Sequence, residues 1–307
     1  MTTLRLATRG SPLALAQTDL VARALERELG VATERVVLKT SGDRIQDRAL
    51  AAIGGKGLFV KELEEALLDG RADLAVHSAK DLPGRMAAGL RLAAFPERGD
   101  PRDALVGRAP DASLAALPRG ARVGTGSARR ASQLRMRRPD LTVVPLRGNV
   151  GTRLRRLEED GLDAVVLACA GLARLGLEAR IHERLAPEDL LPAVGQGTLA
   201  LQVREDDPLG ARVARLDHAA TRLATTAERA FLRALGGDCT VPLAALAEPL
   251  PGGRFRLRAL VASPDGRRVA RCDLEALATE AEAAGARAAE QVRARGGEAI
   301  LAELEAP

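Results

Sequence analysis

Apolar positions along the chain alternate between short, strand-like runs and longer stretches with helical spacing. Leu4 to Thr8 is a strand-like run, and Ser11-Pro12 follows as an N-cap with proline at the first helical position, so a helix is predicted up to Gly30. Arg35 to Thr40 is a second strand. Beyond Gly54-Gly55-Lys56-Gly57, Leu63 and Leu67 stand at helical spacing as candidate core contacts, and Asp73 to His77 is a third strand. The rhythm is βαβαβ, which predicts a parallel sheet covered on both faces.

The rhythm then repeats. A strand ends at Arg122-Val123-Gly124-Thr125, a helix covers about 128–138 before Pro139, and Leu141 to Leu146 is again a strand. A helix from Thr152 to Asp160 and a strand from Asp163 to Ala168 complete the second unit. The turn-forming stretch Pro96-Glu97-Arg98-Gly99-Asp100-Pro101 separates the two. From about Thr221 the pattern changes to a helix up to Leu235, a loop around Cys239, and two strands, Phe255 to Ala262 and Arg268 to Leu274, joined by Ser263-Pro264-Asp265-Gly266. A long Ala- and Glu-rich helix closes the chain. The fold class expected is α/β: two doubly wound lobes like those of periplasmic binding proteins, with a hinged cleft, plus a small α+β C-terminal domain. The expected domains are 1–97 with about 198–216, 102–192, and 220–307.

Composition narrows the function. The 46 basic residues outnumber the 41 acidic ones, so small anions or nucleic acid are possible partners. Four Phe with no Trp or Tyr leave almost no platform for stacking bases, which favours small anions. No run approaches the length of a membrane span, and the N-terminus runs into a strand without a secretory segment, so a cytoplasmic location is expected, with neither membrane nor nucleic acid as partner. No metal-ligand spacing is present. Three cysteines make no disulfide framework; Cys169 and Cys272 lie in apolar or strand-like runs and read as small buried hydrophobes, whereas Cys239 sits in a turn.

In doubly wound sheets, ligands gather beyond the carboxyl ends of the strands. Arg9 and Ser11 follow the first strand, and His77-Ser78-Ala79-Lys80-Asp81 follows the third. Gly126-Ser127-Ala128-Arg129-Arg130 and Arg147-Gly148-Asn149-Val150-Gly151-Thr152-Arg153 open helices of the second unit, where backbone N–H groups favour anions. Taken singly, each has an ordinary explanation. Arg129-Arg130 would be a solvated helix face, Lys80-Asp81 a surface ion pair, His77 a satisfied core group, and Gly54-Gly55-Lys56-Gly57 a loop without phosphate-loop spacing.

Taken together, the segments carry a resemblance. Leu4 to Ala14, Gly54 to Leu63, Ala75 to Pro83, Leu146 to Arg153, Leu191 to Gly197 and the Cys239 loop resemble, in order and in spacing, the porphobilinogen deaminases (hydroxymethylbilane synthases). The resemblance implies a transferase of tetrapyrrole (porphyrin and haem) biosynthesis. Such an enzyme deaminates four porphobilinogen molecules and joins them head to tail on a covalent dipyrromethane primer, then hydrolyses the product free as hydroxymethylbilane. It implies Asp81 as the catalytic carboxylate and Cys239 as the thioether anchor, with Lys80, Ser127, Arg129, Arg130, Arg147 and Gly148 around the cofactor. Arg9, Ser11, Lys56, Arg147, Arg153, Arg174 and Gln196 would bind substrate, and a monomer is expected. The chain departs from the family's pattern at Ala52, Gly126 and Asp238, where relatives commonly carry Lys, a hydroxyl residue and Gly. The alternative is a hinged solute-binding protein for a small anionic ligand.

Overall fold

The computed structural model describes residues 3–40, 60–236 and 241–305. The chain divides into two compact units, Met1–Gly99 with Thr198–Arg222, and Asp100–Gly197 with Leu223–Pro307.

In the first unit, β1 (Leu4–Arg9) leads into α1 (Pro12–Leu29) and β2 (Thr33–Leu38), followed by α2 (Lys61–Leu68), β3 (Leu74–Ser78) and β4 (Leu90–Ala94). The helix α1 begins and ends where local chemistry dictates. The Ser11 hydroxyl accepts the Ala14 N–H at 3.3 Å, and Gly30 takes a left-handed conformation (φ 62°) while its N–H returns to the Glu26 carbonyl. The strands β1, β2 and β3 are parallel. Beside β3 lies β10 (Leu199–Arg204), running antiparallel, with β4 antiparallel to it at the edge, so the sheet order is β2-β1-β3-β10-β4. Leu6, Leu25, Leu74 and Leu201 pack on one face, while Leu63 and Leu67 join Ala7 and Ala75 on the other.

The second unit repeats this arrangement with β5 (Asp103–Gly107), β6 (Arg122–Thr125), α3 (Ala128–Arg137), β7 (Thr142–Pro145), α4 (Val150–Glu159), β8 (Ala164–Ala168), α5 (Cys169–Arg174) and the short β9 (Glu183–Arg184). Its order is β7-β6-β8-β5-β9, with β6, β7 and β8 parallel and β5 antiparallel between β8 and β9. Each sheet is therefore mixed rather than wholly parallel, as the βαβαβ rhythm alone predicted. In each, the fourth strand comes from a segment outside the βαβαβ run: β10 from the chain's late return, β5 from the residues entering the unit. Local periodicity cannot announce such a pairing.

After α6 (Leu209–Val213) and α7 (Ala219–Leu235), the C-terminal sheet is formed by β11 (Leu243–Leu250), β12 (Arg254–Ala262) and β13 (Val269–Leu277), all antiparallel. Two of these strands were expected. The added one, β11, carries the alternation-poor sequence Leu243-Ala244-Ala245-Leu246-Ala247, buried on both faces. The closing helix is two, α8 (Ala281–Val292) and α9 (Glu298–Glu305), divided where Gly296 turns to φ 99°. Phe231, Phe255, Leu257 and Val292 centre a core shared by α7, the sheet and α8. Cys169 and Cys272 are buried, as expected of small hydrophobes; burial pushes the Cys169 thiol up to about 12. Among the described residues, no helix is long and apolar enough to cross a membrane, and no cluster of His, Cys, Asp and Glu could hold a metal ion.

Candidate active site

In the first unit, the polar groups gather where the parallel strands end. Arg9 is the last residue of β1, and Ser11 caps α1. The chain leaves β3 through a single 3-10 turn, Ala79–Asp81, pinned by the Ala79 N–H to the Thr198 carbonyl at 3.0 Å. That turn places the Asp81 side chain partly in solvent. Among the described residues its carboxylate makes no ion pair and accepts no hydrogen bond, so the surface pairing with Lys80 suggested by adjacency does not form. The residues behind it are satisfied. His77 Nε2 meets Gln202 Oε1 at 2.8 Å in the core, and Gln202 Nε2 donates to Glu64; on the opposite face, Gln17 and Ser78 hydrogen-bond. Such a carboxylate, on a turn tied to the Thr198 carbonyl, can accept an N–H or a proton from a ligand.

The second unit concentrates cations. Ser127 caps α3, accepting the Arg130 N–H, and Arg129 and Arg130 turn their side chains inward rather than to solvent. Arg129 and Arg130 are both buried and share the fully buried Asp103. Arg129 Nη1 donates to Asp103 Oδ2 at 2.7 Å, and Arg130 donates through Nη2 and Nε to Oδ1 at 2.7 and 2.9 Å. Burial alone would raise the Asp103 pKa, but the two guanidiniums outweigh it and hold the carboxyl well below the usual range. The Gln196 amide is also committed here, donating to Asp103 Oδ1 at 3.0 Å and to the Pro101 carbonyl at 2.7 Å. Gln196 thus ties the segment from Leu191 to Gly197 to β5 with its own side chain.

Arg147 and Arg174 differ. Among the described residues, the Arg147 Nη1 atom is buried without a hydrogen-bond partner. Arg174, at the end of α5, donates to the Gly197 carbonyl and has no acidic partner among the described residues; burial pulls its pKa down to about 10, still a cation at neutral pH. Next to Arg147, Gly148 adopts φ 109°, a conformation reserved for glycine, and Asn149 caps α4 through the Thr152 N–H. Arg153 reaches back to the Gly148 carbonyl at 2.8 Å. The departure at Gly126 has a steric counterpart, because a methyl group there would stand 2.5 Å from the Leu146 carbonyl oxygen. Lys56, Ala52, Asp238 and Cys239 lie outside the described residues.

Sequence reasoning missed Asp103, although a signal existed. An acid directly before the fully apolar strand Ala104-Leu105-Val106 must be paired with a buried cation, and Arg129-Arg130 lacked a counterion. Glu228 was missed as well: fully buried on α7, it accepts the Gly195 and Ala247 N–H groups at 2.6 and 3.0 Å.

A dipyrromethane assembled from two porphobilinogen units carries acetate and propionate groups, and the second unit offers what these require. Among the described residues, a buried guanidinium nitrogen of Arg147 lacks a partner and the Arg174 cation lacks an acid, so these donors fit the group.

The first unit carries a carboxylate without a partner among the described residues and the second a cluster of buried cations, the kind of groups a small anionic ligand requires. Residues 4–211 match the family model described as porphobilinogen deaminase, dipyromethane cofactor binding domain, and residues 222–294 match that family's C-terminal domain. Porphobilinogen deaminase of Roseiflexus sp. (strain RS-1) is 53% identical over 304 residues, covering 98% of this chain and 99% of that one. Its counterpart in Xanthomonas euvesicatoria pv. vesicatoria is 52% identical over 99% of this chain and 100% of the relative. A periplasmic substrate-binding protein of an ABC transporter from Coxiella burnetii aligns at 15% identity over 74% of this chain and 97% of its own, with a TM-score of 0.42. The chain belongs to the porphobilinogen deaminase family, carries its dipyrromethane-cofactor-binding domain, and is an enzyme of tetrapyrrole synthesis. The solute-binder alternative is not favoured.

Proposed function

We propose that this chain is a hydroxymethylbilane synthase, a transferase that joins four porphobilinogen molecules head to tail with loss of ammonia and releases the linear tetrapyrrole. We place it in the cytoplasm as a monomer without nucleic-acid partner, with residues 220–307 as a third domain carrying the cofactor cysteine. The observation that carries the reading is the Asp81 carboxylate, unpartnered among the described residues, in a chain matched over residues 4–211 by the family's cofactor-binding model.

When bound, the dipyrromethane supplies the free pyrrole α-carbon to which new units are joined. Cys239 would hold it by a thioether, and Arg129, Arg130, Arg147, Lys80, Ser127 and Gly148 are the residues that would bind it. Arg9, Ser11, Lys56, Arg147, Arg153 and Arg174 receive substrate acetate and propionate groups, which planar, permanently charged guanidiniums bind in a two-pronged fashion. Gln196 stands beside this site, with its side-chain amide tied to Asp103 and to the Pro101 carbonyl. Asp81 accepts the N–H of the reacting pyrrole at a carboxylate oxygen and stabilises the positive charge that grows on the ring as ammonia departs. It then takes up the proton lost when the new bond forms.

Incubation of the purified protein with porphobilinogen tests the proposal directly. Ammonia release in step with bilane formation is expected, along with an intact mass that includes two pyrrole units. Tight binding of porphobilinogen without ammonia release would favour the solute-binder alternative.

A further inference from the structure

The Arg129–Asp103–Arg130 cluster is built unlike an ordinary core ion pair. One carboxylate serves two guanidiniums, so a fully buried group of side chains carries a net positive charge. A purely structural pair would be neutral, because uncompensated charge in the interior is costly. The remaining partners are neutral: Arg129 also donates to the Leu191 carbonyl and to Gln196 Oε1, Arg130 to the Val166 carbonyl, and Gln196 donates into Asp103. Neither arginine exhausts its donors on these groups, and the Arg129 Nε atom is buried without a hydrogen-bond partner among the described residues.

We infer that Asp103 is a positioning residue for the dipyrromethane site: it grips the inner edges of both guanidiniums and aims their remaining donors at a ligand carboxylate, which completes the charge. The inference rests on the reading that Arg129 and Arg130 hold the cofactor. Geometry supports it from three directions. Asp103 opens β5, Arg129 and Arg130 open α3, and Gln196 closes the segment that precedes β10; one carboxylate fixes all three together. Its removal therefore releases the aim of two cations at once, whereas removal of either arginine leaves the other held.

The test compares Asp103→Asn with Arg129→Gln, Arg130→Gln and a control, Asp140→Asn. Asp140 pairs with Arg138 just beyond the far end of α3, so its loss loosens the same helix without touching the cluster. The readouts are the fraction of folded protein carrying the two-pyrrole adduct by intact mass, the rate at which apoprotein acquires that mass from porphobilinogen, and the melting temperature. Asp103→Asn is expected to lower the loaded fraction or the loading rate about tenfold or more, a larger loss than either arginine variant causes. Asp140→Asn should lower the melting temperature while loading normally. If Asp103→Asn folds too poorly to assay, Asp103→Glu keeps the charge and displaces the carboxylate by one methylene, and slower loading is again expected. Normal loading of the folded Asp103 variants, with impaired arginine variants, overturns the inference alone. Normal loading in both arginine variants removes the cofactor reading and the inference with it.

Discussion

Gly266, in the turn between β12 and β13, lies so close to Ser132 of α3 that a methyl group on its α-carbon would stand 2.5 Å from the Ser132 carbonyl oxygen. The same turn accepts a hydrogen bond from Arg135 Nη1 at the Pro264 carbonyl, 2.7 Å away. The C-terminal sheet is thereby docked onto the helix whose first turn carries Arg129 and Arg130, and the Ser132 hydroxyl in turn donates to the Arg129 carbonyl. Gly266 also holds φ 74°, so an alanine would be both strained and obstructed. Gly266→Ala should destabilise the protein by about 2 kcal/mol or more, read as a lower midpoint in urea unfolding with an unchanged slope.

Removing the charge of Asp81 should separate catalysis from folding. Because the carboxylate makes no hydrogen bond or ion pair among the described residues, Asp81→Asn should change unfolding free energy by less than about 0.5 kcal/mol. Turnover of porphobilinogen should fall about 100-fold or more, with KM little altered, since the anion-binding groups are untouched. Full activity in this variant would remove Asp81 from its assigned role.

Stability in acid should report on Asp103. Its folded pKa is depressed by Arg129 and Arg130, so between that value and the ordinary carboxylate pKa near 4 the unfolded chain binds more protons than the folded one. Its contribution is thus complete above pH of about 4 and declines as pH falls towards the depressed folded value. Asp103→Asn should be less stable at neutral pH and show a shallower loss between pH of about 4 and 2, measured by urea unfolding across that range.

The three cysteines should behave differently. Cys239→Ser should abolish the two-pyrrole mass adduct, whereas Cys169→Ala and Cys272→Ala should retain it. Burial raises the pKa of both of the latter thiols, and Cys272 Sγ is further occupied with Gln291 Oε1 at 3.3 Å. Thiol-specific alkylation of the native apoprotein at neutral pH should accordingly label Cys239 well before either of them.

What the chain reveals by itself is local. Ser11 and Gly30 bracket α1 because capping and left-handed backbone need only neighbouring atoms, and Leu63 and Leu67 were legible as core because helical spacing puts both on one face. The ordered motifs around Asp81, Arg147 and Cys239 carried the family in the same way. What only folding decided is long-range. The antiparallel strands β5 and β10 join sheets whose other members lie far away in sequence, and their pairing depends on which distant edge is free. The fate of Arg129 and Arg130 was decided likewise: two arginines that read as a solvated face are buried because the chain brings Asp103, some 26 residues earlier, beneath them. A charge enters the interior only when its counter-charge arrives with it, and that meeting belongs to the tertiary structure.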